Sequence, residues 1–225
     1  MTGFVPPMRR FLLAFLLGVF ASPLVLAQTP AVSAHGDAPP DALAGPVRAV
    51  MATGGQTVSV AGKTLEFWWV KSLSLEAATA DISWASVQEG TIVGAVRLSS
   101  SYTDVRGKPV APGVYTLRYA LQPENGDHLG VSPYREFLLL VPAQSDTGPS
   151  PLSHDDTVNL SKQANGTSHP AVWSLDPPVA SSDPGSVYTN DAGQQGVVFS
   201  VAVSRAGKDA GTLRFGLILA GTIQS

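Results

Sequence analysis

The chain has 225 residues, a formal net charge of −3 at neutral pH, 44% hydrophobic residues and no cysteine. A slightly acidic balance without a basic cluster argues against nucleic-acid binding and against docking on anionic lipid. The lack of thiols excludes disulfides, thiolate metal sites and cysteine nucleophiles.

The first 27 residues have the features of an export signal. Arg9 and Arg10 precede an apolar run over residues 11–20, and Val25 and Ala27 provide the residues that signal peptidase needs at −3 and −1. An uncleaved anchor is the alternative, but Pro23 interrupts a run that is already at the short limit for a bilayer span. We therefore predict a signal peptide over 1–27, a periplasmic or secreted protein, and no membrane span after cleavage.

Residues 28–45 are rich in Ala, Pro, Gly and Asp and predict a flexible tether. From residue 46 onward the apolar residues recur with a period of two, which is typical of half-buried strands. This alternation and the turn residues between the runs predict strands at 56–61, 64–69, 80–87, 91–99, 115–121, 135–141, 170–175, 197–203 and 213–219. The glycine-containing segment 204–211 predicts a hairpin turn between the last two strands.

Many short strands without helices between them predict an all-β fold, either a two-sheet antiparallel β-sandwich or an open barrel. One short helix is predicted over 157–165, with Ser153 as N-cap and Gly166 as C-cap. The helix lies in a long, proline-rich crossover over 142–195. Because the final hairpin is too small to bury its own apolar face, residues 46–225 are expected to form one domain rather than two domains divided near 145.

The stretch from Lys108 to Leu117 carries a polar turn that ends in Pro112-Gly113, followed by a strand that begins Tyr115-Thr-Leu117. This pattern resembles a recurring feature of uncharacterised exported bacterial β-sandwich proteins. The resemblance implies a sandwich fold and an envelope location, and it implies no activity. Tyr115 and Leu117 are expected to point into the core.

Adjacent tryptophans provide the first candidate binding surface. Successive side chains of a strand point to opposite faces, so Trp69 belongs with Leu65 and Phe67, and Trp68 belongs with Glu66 on the other face. An exposed indole beside a carboxylate can stack on a sugar ring or cover a partner surface. The alternative is that this face is covered too and that Trp68 is a second core residue.

A metal site is the second hypothesis. Imidazole and carboxylate groups suit zinc, copper or nickel, and the candidate ligands are Asp127, His128, His154, Asp155 and His169. Their spacing matches no metal-binding motif, so turn and helix-capping roles explain them equally well.

A hydrolase is the most remote reading, because no serine lies in a Gly-x-Ser-x-Gly sequence and no catalytic residue can be nominated. The sequence favours a non-enzymatic binding module of the cell envelope, with an envelope protein or a glycan as partner. The alternative is a metal-binding envelope protein that uses His128, His154 and His169. No cofactor other than this divalent metal is expected.

Overall fold

A computed structural model of the chain describes residues 1–2, 30–123, 134–177 and 182–222. Over these residues the chain is mostly β-strand with two short helices, which confirms the all-β prediction. The strands are β1 (Ala31–His35), β2 (Gly55–Val60), β3 (Lys63–Trp69), β4 (Leu73–Leu75), β5 (Ile92–Leu98), β6 (Tyr102–Thr103), β7 (Pro109–Val110), β8 (Gly113–Leu121), β9 (Glu136–Pro142), β10 (Val172–Asp176), β11 (Val187–Thr189), β12 (Gln195–Arg205) and β13 (Lys208–Ala220). The helices are α1 (Gly45–Val50) and α2 (His154–Ser161).

The strands form one curled sheet in the order β1-β2-β3-β5-β8-β9-β10-β13-β12-β11, while β6 and β7 pair separately. The sheet turns at β10. Val172, Trp173 and Ser174 pair with β9, whereas Leu175 and Asp176 pair with β13. Neighbours along this order run antiparallel, but β4 lies parallel to β12, which makes the sheet mixed.

Curling brings the inner faces of β3 and of the β12–β13 hairpin together. The Phe67 ring lies 5.1 Å from that of Phe199, and the Trp69 ring lies 5.4 Å from that of Phe215. Tyr115 and Leu117 point into the same core, as expected. The final hairpin therefore buries its apolar face against strands from the first half of the chain, through aromatic contacts that contribute area and edge-to-face attraction.

The helix predicted over 157–165 is present, but it lies earlier, as α2 (His154–Ser161), and its predicted N-cap is confirmed. The Ser153 hydroxyl accepts a hydrogen bond from the Asp156 N–H at 3.1 Å, so Ser153 is the N-cap. The helix begins at His154 and ends in a 3₁₀ turn over Lys162–Ala164, after which Gly166 takes a φ of +64°. The β12–β13 turn is tight as well, with Ala206 and Gly207 both at positive φ, as a two-residue hairpin requires.

The predicted strand over 80–87 is wrong. Trp84–Ser86 form a 3₁₀ turn, and the Trp84 ring stacks on Tyr119 with centroids 5.0 Å apart. An isolated apolar side chain that packs from a turn gives the same local pattern as a short strand. Strands β1, β4, β6, β7 and β11 and helix α1 were not predicted, because such short elements are determined by tertiary contacts rather than by periodicity.

The predicted flexible tether over 28–45 is corrected by the structure. Ala31–His35 pair with β2 over five residues, and Pro39, Pro40 and Leu43 are buried. Backbone pairing does not depend on side-chain type, and prolines pack well where no N–H is needed. This stretch has a composition typical of a linker, yet it forms the edge of the sheet and a cover over β3.

This cover buries Trp68, whose exposed fraction is 0%. Its indole N–H donates to the Asp37 carbonyl oxygen at 3.0 Å, the His35 ring meets it edge-on at 5.0 Å, and the Arg97 guanidinium lies 5.2 Å from its ring centre. The surface hypothesis required an exposed Trp68, and in this fold the alternative core role is the correct one.

We expect Trp68→Ala to lower the free energy of unfolding by about 3–5 kcal/mol, the usual cost of removing a buried large aromatic side chain. The matched control is Ile82→Ala, because Ile82 is 38% exposed, and its cost should stay below about 1 kcal/mol. Urea unfolding measures both. Equal, small losses in the two variants would show that Trp68 is not covered in solution.

Candidate functional site

The structure does not bring the predicted site residues together. Trp68 is buried, and Glu66 lies in an ion pair with Arg97 at 2.9 Å. Asp127 and His128 lie outside the described residues. His154, Asp155 and His169 are described, and no group of three or more potential metal ligands occurs among the residues that the structure covers.

His154 has a partner that the sequence did not reveal. Its Nδ1 lies 2.7 Å from Oε1 of Glu89, which also accepts the Leu121 N–H at 2.9 Å. Since a carboxylate only accepts, this contact places the proton on Nδ1 and fixes the orientation of the imidazole. Glu89 follows no motif, and only the fold brings it to the start of α2, 65 residues along the chain.

A neighbouring tyrosine, Tyr119, stays protonated in this environment. Tyr119 packs on Trp84 nearby, and burial raises the pKa of its phenol, with Glu136 and Glu89 acting in the same direction. The phenol is therefore neutral at physiological pH. No hydrogen bond recorded for the described residues joins His154 to a hydroxyl nucleophile, so the geometry provides orientation of an imidazole and not an assembled triad.

A buried ion pair organises the same end of the curled sheet. Arg118 on β8 has no exposed surface and Asp146 is 2% exposed. The guanidinium donates from Nε to Oδ2 of Asp146 at 2.8 Å and from Nη2 to Oδ1 at 2.6 Å, a bidentate contact. Its remaining donors bond the carbonyl oxygens of Gly90, Gly148 and Ser150. All five N–H groups of the guanidinium are thus satisfied.

These contacts hold residues 146–152, which we call the proline segment. Two of its carbonyl oxygens, those of Gly148 and Ser150, are bound by Arg118. The segment lies between two grooves: Pro149 and Pro151 line one groove, whereas Asp146, Thr147, Gly148, Ser150 and Leu152 line the other. The segment is therefore a wall that divides this end of the molecule.

Gly90 allows the wall to approach the sheet. Its φ is +81°, and a Cβ at this position would lie 1.9 Å from the carbonyl oxygen of Leu152. The Leu152 N–H donates to the Gly90 carbonyl oxygen at 3.3 Å. Glycine is thus required here by both backbone conformation and space.

We call the first cavity the β4 groove. It has a volume of about 380 Å³ and lies where β3 has ended and β5 begins. Glu76 is the single charged residue in its lining, which is otherwise apolar or hydroxyl- and amide-bearing. The lining comprises Val50, Val70, Ser72, Leu73, Ser74, Leu75, Glu76, Gln88, Thr91, Ile92, Pro149 and Pro151.

The second cavity, which we call the α2 groove, has a volume of about 350 Å³ and lies between the proline segment and α2. Its lining is more polar, with the hydroxyls of Ser145, Thr147 and Ser150 and the side chains of Asp156 and Asn159. Asp156 is already engaged with the Ser153 hydroxyl at 2.7 Å.

Comparison with known proteins gives no match to a protein-family model, to a curated protein or to a solved structure. None of the helices in the described part of the chain combines the length and the apolar character that crossing a bilayer requires. Function must therefore be argued from the geometry of this end of the curled sheet.

We expect Arg118→Met to lower the free energy of unfolding by about 3–5 kcal/mol, because it leaves the Asp146 charge buried without its partner. The double variant Arg118→Met/Asp146→Leu should lose clearly less than the sum of the two single losses, since no unpaired charge remains. Chemical unfolding of the four species of this cycle gives the coupling.

The control is Arg48→Met, which removes an exposed pair with Asp41 and should cost less than about 1 kcal/mol. Strictly additive losses at Arg118 and Asp146 would contradict a coupled buried pair.

Proposed function

We propose that the protein is an exported binding module of the cell envelope and that its partner occupies the β4 groove. The observation that carries this proposal is an open groove beside strand β4, held by a wall whose position is fixed by a buried ion pair. The signal sequence over residues 1–27 supports export, and its cleavage would leave Gln28 as the first residue, shortly before β1.

The shape and chemistry of the groove support ligand binding. Its volume falls within the usual range for binding pockets, about 300–1,000 Å³, and such pockets combine an apolar lining with few polar groups. Pro149 and Pro151 belong to its apolar lining above the buried Leu73 and Leu75, while Gln88, Thr91 and Glu76 provide polar groups. The wall is also rigid, because Arg118 bonds two of its carbonyl oxygens and the carboxylate of Asp146. A preformed site avoids much of the entropy cost of ordering on binding.

We expect a photo-reactive benzoylphenylalanine at Gln88 to cross-link one defined partner in cells of the source organism. Gln88 lines the β4 groove and is exposed. A bulky side chain in the groove, Ser74→Trp, should abolish this product because it occupies the space of the ligand. Mass spectrometry identifies the cross-linked species as protein or glycan. The same analysis determines the first residue of the mature chain.

The control position is Thr212, an exposed residue on β13 that does not line the groove. Asn159 reports on the α2 groove in the same way. Identical products from Gln88 and Thr212, or a Gln88 product that persists in Ser74→Trp, would overturn the proposal that the β4 groove is the binding site.

A second candidate function is metal binding through His128, His154 and His169. It is favoured by the contact between Glu89 and Nδ1 of His154, because histidine ligands of metals commonly donate one ring N–H to a carboxylate and bind the metal through the other nitrogen. In this reading Nε2 of His154 is the ligand atom.

A thermal melt of chelator-treated protein with Zn²⁺, Cu²⁺, Ni²⁺ or Ca²⁺ tests the second candidate. A bound metal raises the midpoint, and an excess of about 100-fold over Kd corresponds to about 2.7 kcal/mol. The shift should disappear in His154→Ala and persist in the surface control Asp191→Ala. A flat response to all four ions rules out this candidate and leaves the binding module.

A further inference from the structure

We infer that the ligand of the β4 groove is an extended polypeptide segment of a partner protein, which pairs with the free edge of β4 and places a lysine or arginine against Glu76. This inference rests on the proposed function and specifies the class of ligand. Three observations carry it: the unpaired edge of β4, the composition of the facing wall, and the charge of the groove.

The first observation is the edge itself. Strand β4 pairs with β12 through Leu73, Ser74 and Leu75, and β12 is its one strand neighbour among the described residues. All five consecutive residues from Ser72 to Glu76 line the groove. Side chains of a strand alternate between two faces, so a groove lined by every residue in turn runs along the backbone edge and not along one face.

The second observation is that the facing wall forms no ladder with this edge and offers few free hydrogen-bonding groups. Pro149 and Pro151 have no backbone N–H to donate. The carbonyl oxygens of Gly148 and Ser150 are already bound by Arg118. The backbone groups of β4 that point away from β12 therefore gain no strand partner from this wall. The backbone of Glu76 is already engaged, since its N–H donates to the Ser86 carbonyl oxygen at 2.8 Å and its carbonyl oxygen accepts from the Thr79 hydroxyl at 3.0 Å. An extended peptide offers alternating donors and acceptors at strand spacing, which is the basis of recognition by strand addition.

The third observation is the charge. Glu76 is exposed, lies at the end of the lined stretch and is the single charged residue of the groove. Leu73 and Leu75 are buried beside it. A complementary segment would place apolar side chains along the strand and a cation near Glu76, because charge complementarity fixes register and partner choice.

The length of the lined stretch limits the size of the segment. The five residues from Ser72 to Glu76, of which Leu73–Leu75 form the strand, extend about 13 Å at about 3.3 Å per residue. The ligand would therefore contact the groove with four or five residues, as in peptide recognition at a sheet edge.

A phage-displayed library of random dodecapeptides, selected on the full mature protein, tests the inference. Enriched sequences should share a short stretch of β-branched or aromatic residues next to a lysine or arginine. Their binding should be lost with Ser74→Trp, which blocks the groove. Selection that yields no groove-dependent sequence would overturn the inference.

Backbone pairing has a signature of its own. N-methylation of one residue at a time along an enriched peptide should weaken binding about three- to tenfold at alternate positions and leave the positions between them unaffected, because only every second N–H faces β4. Binding that tolerates N-methylation at every position would overturn pairing with the edge.

Charge reversal tests the role of Glu76. Glu76→Lys should weaken a lysine-containing peptide by about two- to fivefold, the range for an exposed ion pair, and should restore binding when that lysine is replaced by glutamate. Asp191→Lys, an equal change of charge away from the groove, should have no such effect. If neither variant alters affinity, the assigned register is wrong.

Different results would contradict the proposed binding groove and the inference that its ligand is a polypeptide. A glycan cross-linked at Gln88, together with an unproductive peptide library, would leave the binding module in place and remove only the polypeptide as its ligand. A Gln88 cross-link that is indifferent to Ser74→Trp would remove the groove itself.

Discussion

Arg118 and Asp146 are buried as charges, and burying an ion is costly unless every donor and acceptor finds a partner. Here the guanidinium satisfies both carboxylate oxygens and three carbonyl oxygens, which come from the turn before β5 and from the proline segment. Because charge-assisted bonds of this kind require specific distances and angles, the pair restricts the position of the proline segment. The proline segment that this ion pair holds is the wall shared by both grooves. A hydrophobic replacement could be as stable, but it could not orient three carbonyl groups at once.

The sequence predicts the regular part of this fold because that part is governed by local alternation. Leu65, Phe67 and Trp69 each fall on the buried face of β3, and Ser153 caps α2 as its sequence position indicates. The same reasoning fails where burial comes from a distant segment. Trp68 has the position of a surface residue, yet a stretch about 30 residues earlier covers it. Composition marked that stretch as a linker, since alanine, proline and glycine carry little information about backbone pairing.

The candidate site lay beyond prediction for a related reason. Arg118 stands out only as a polar residue on a strand, and its partner Asp146 is 28 residues away in a crossover without periodicity. Glu89 and His154 are separated by 65 residues. Such pairs form because the folded chain brings distant segments together, and their spacing in the sequence does not indicate them. The histidines were recognisable as chemically capable residues, but whether they converge is a property of the fold.

A free strand edge is a hazard, since it presents unpaired backbone groups to any passing chain. The described structure limits the exposure of its edges in different ways. Strands β1 and β11 are five and three residues long, so they offer short templates. Strand β4 is also short, and Pro149 and Pro151, which have no N–H to donate, line the same groove. Proline is one of the residues that protect sheet edges from indiscriminate pairing. Because these two prolines cannot donate to a strand, they do not extend the sheet at β4. In the proposed binding mode this leaves room for a narrow, extended ligand, and the wall that Arg118 holds makes access selective.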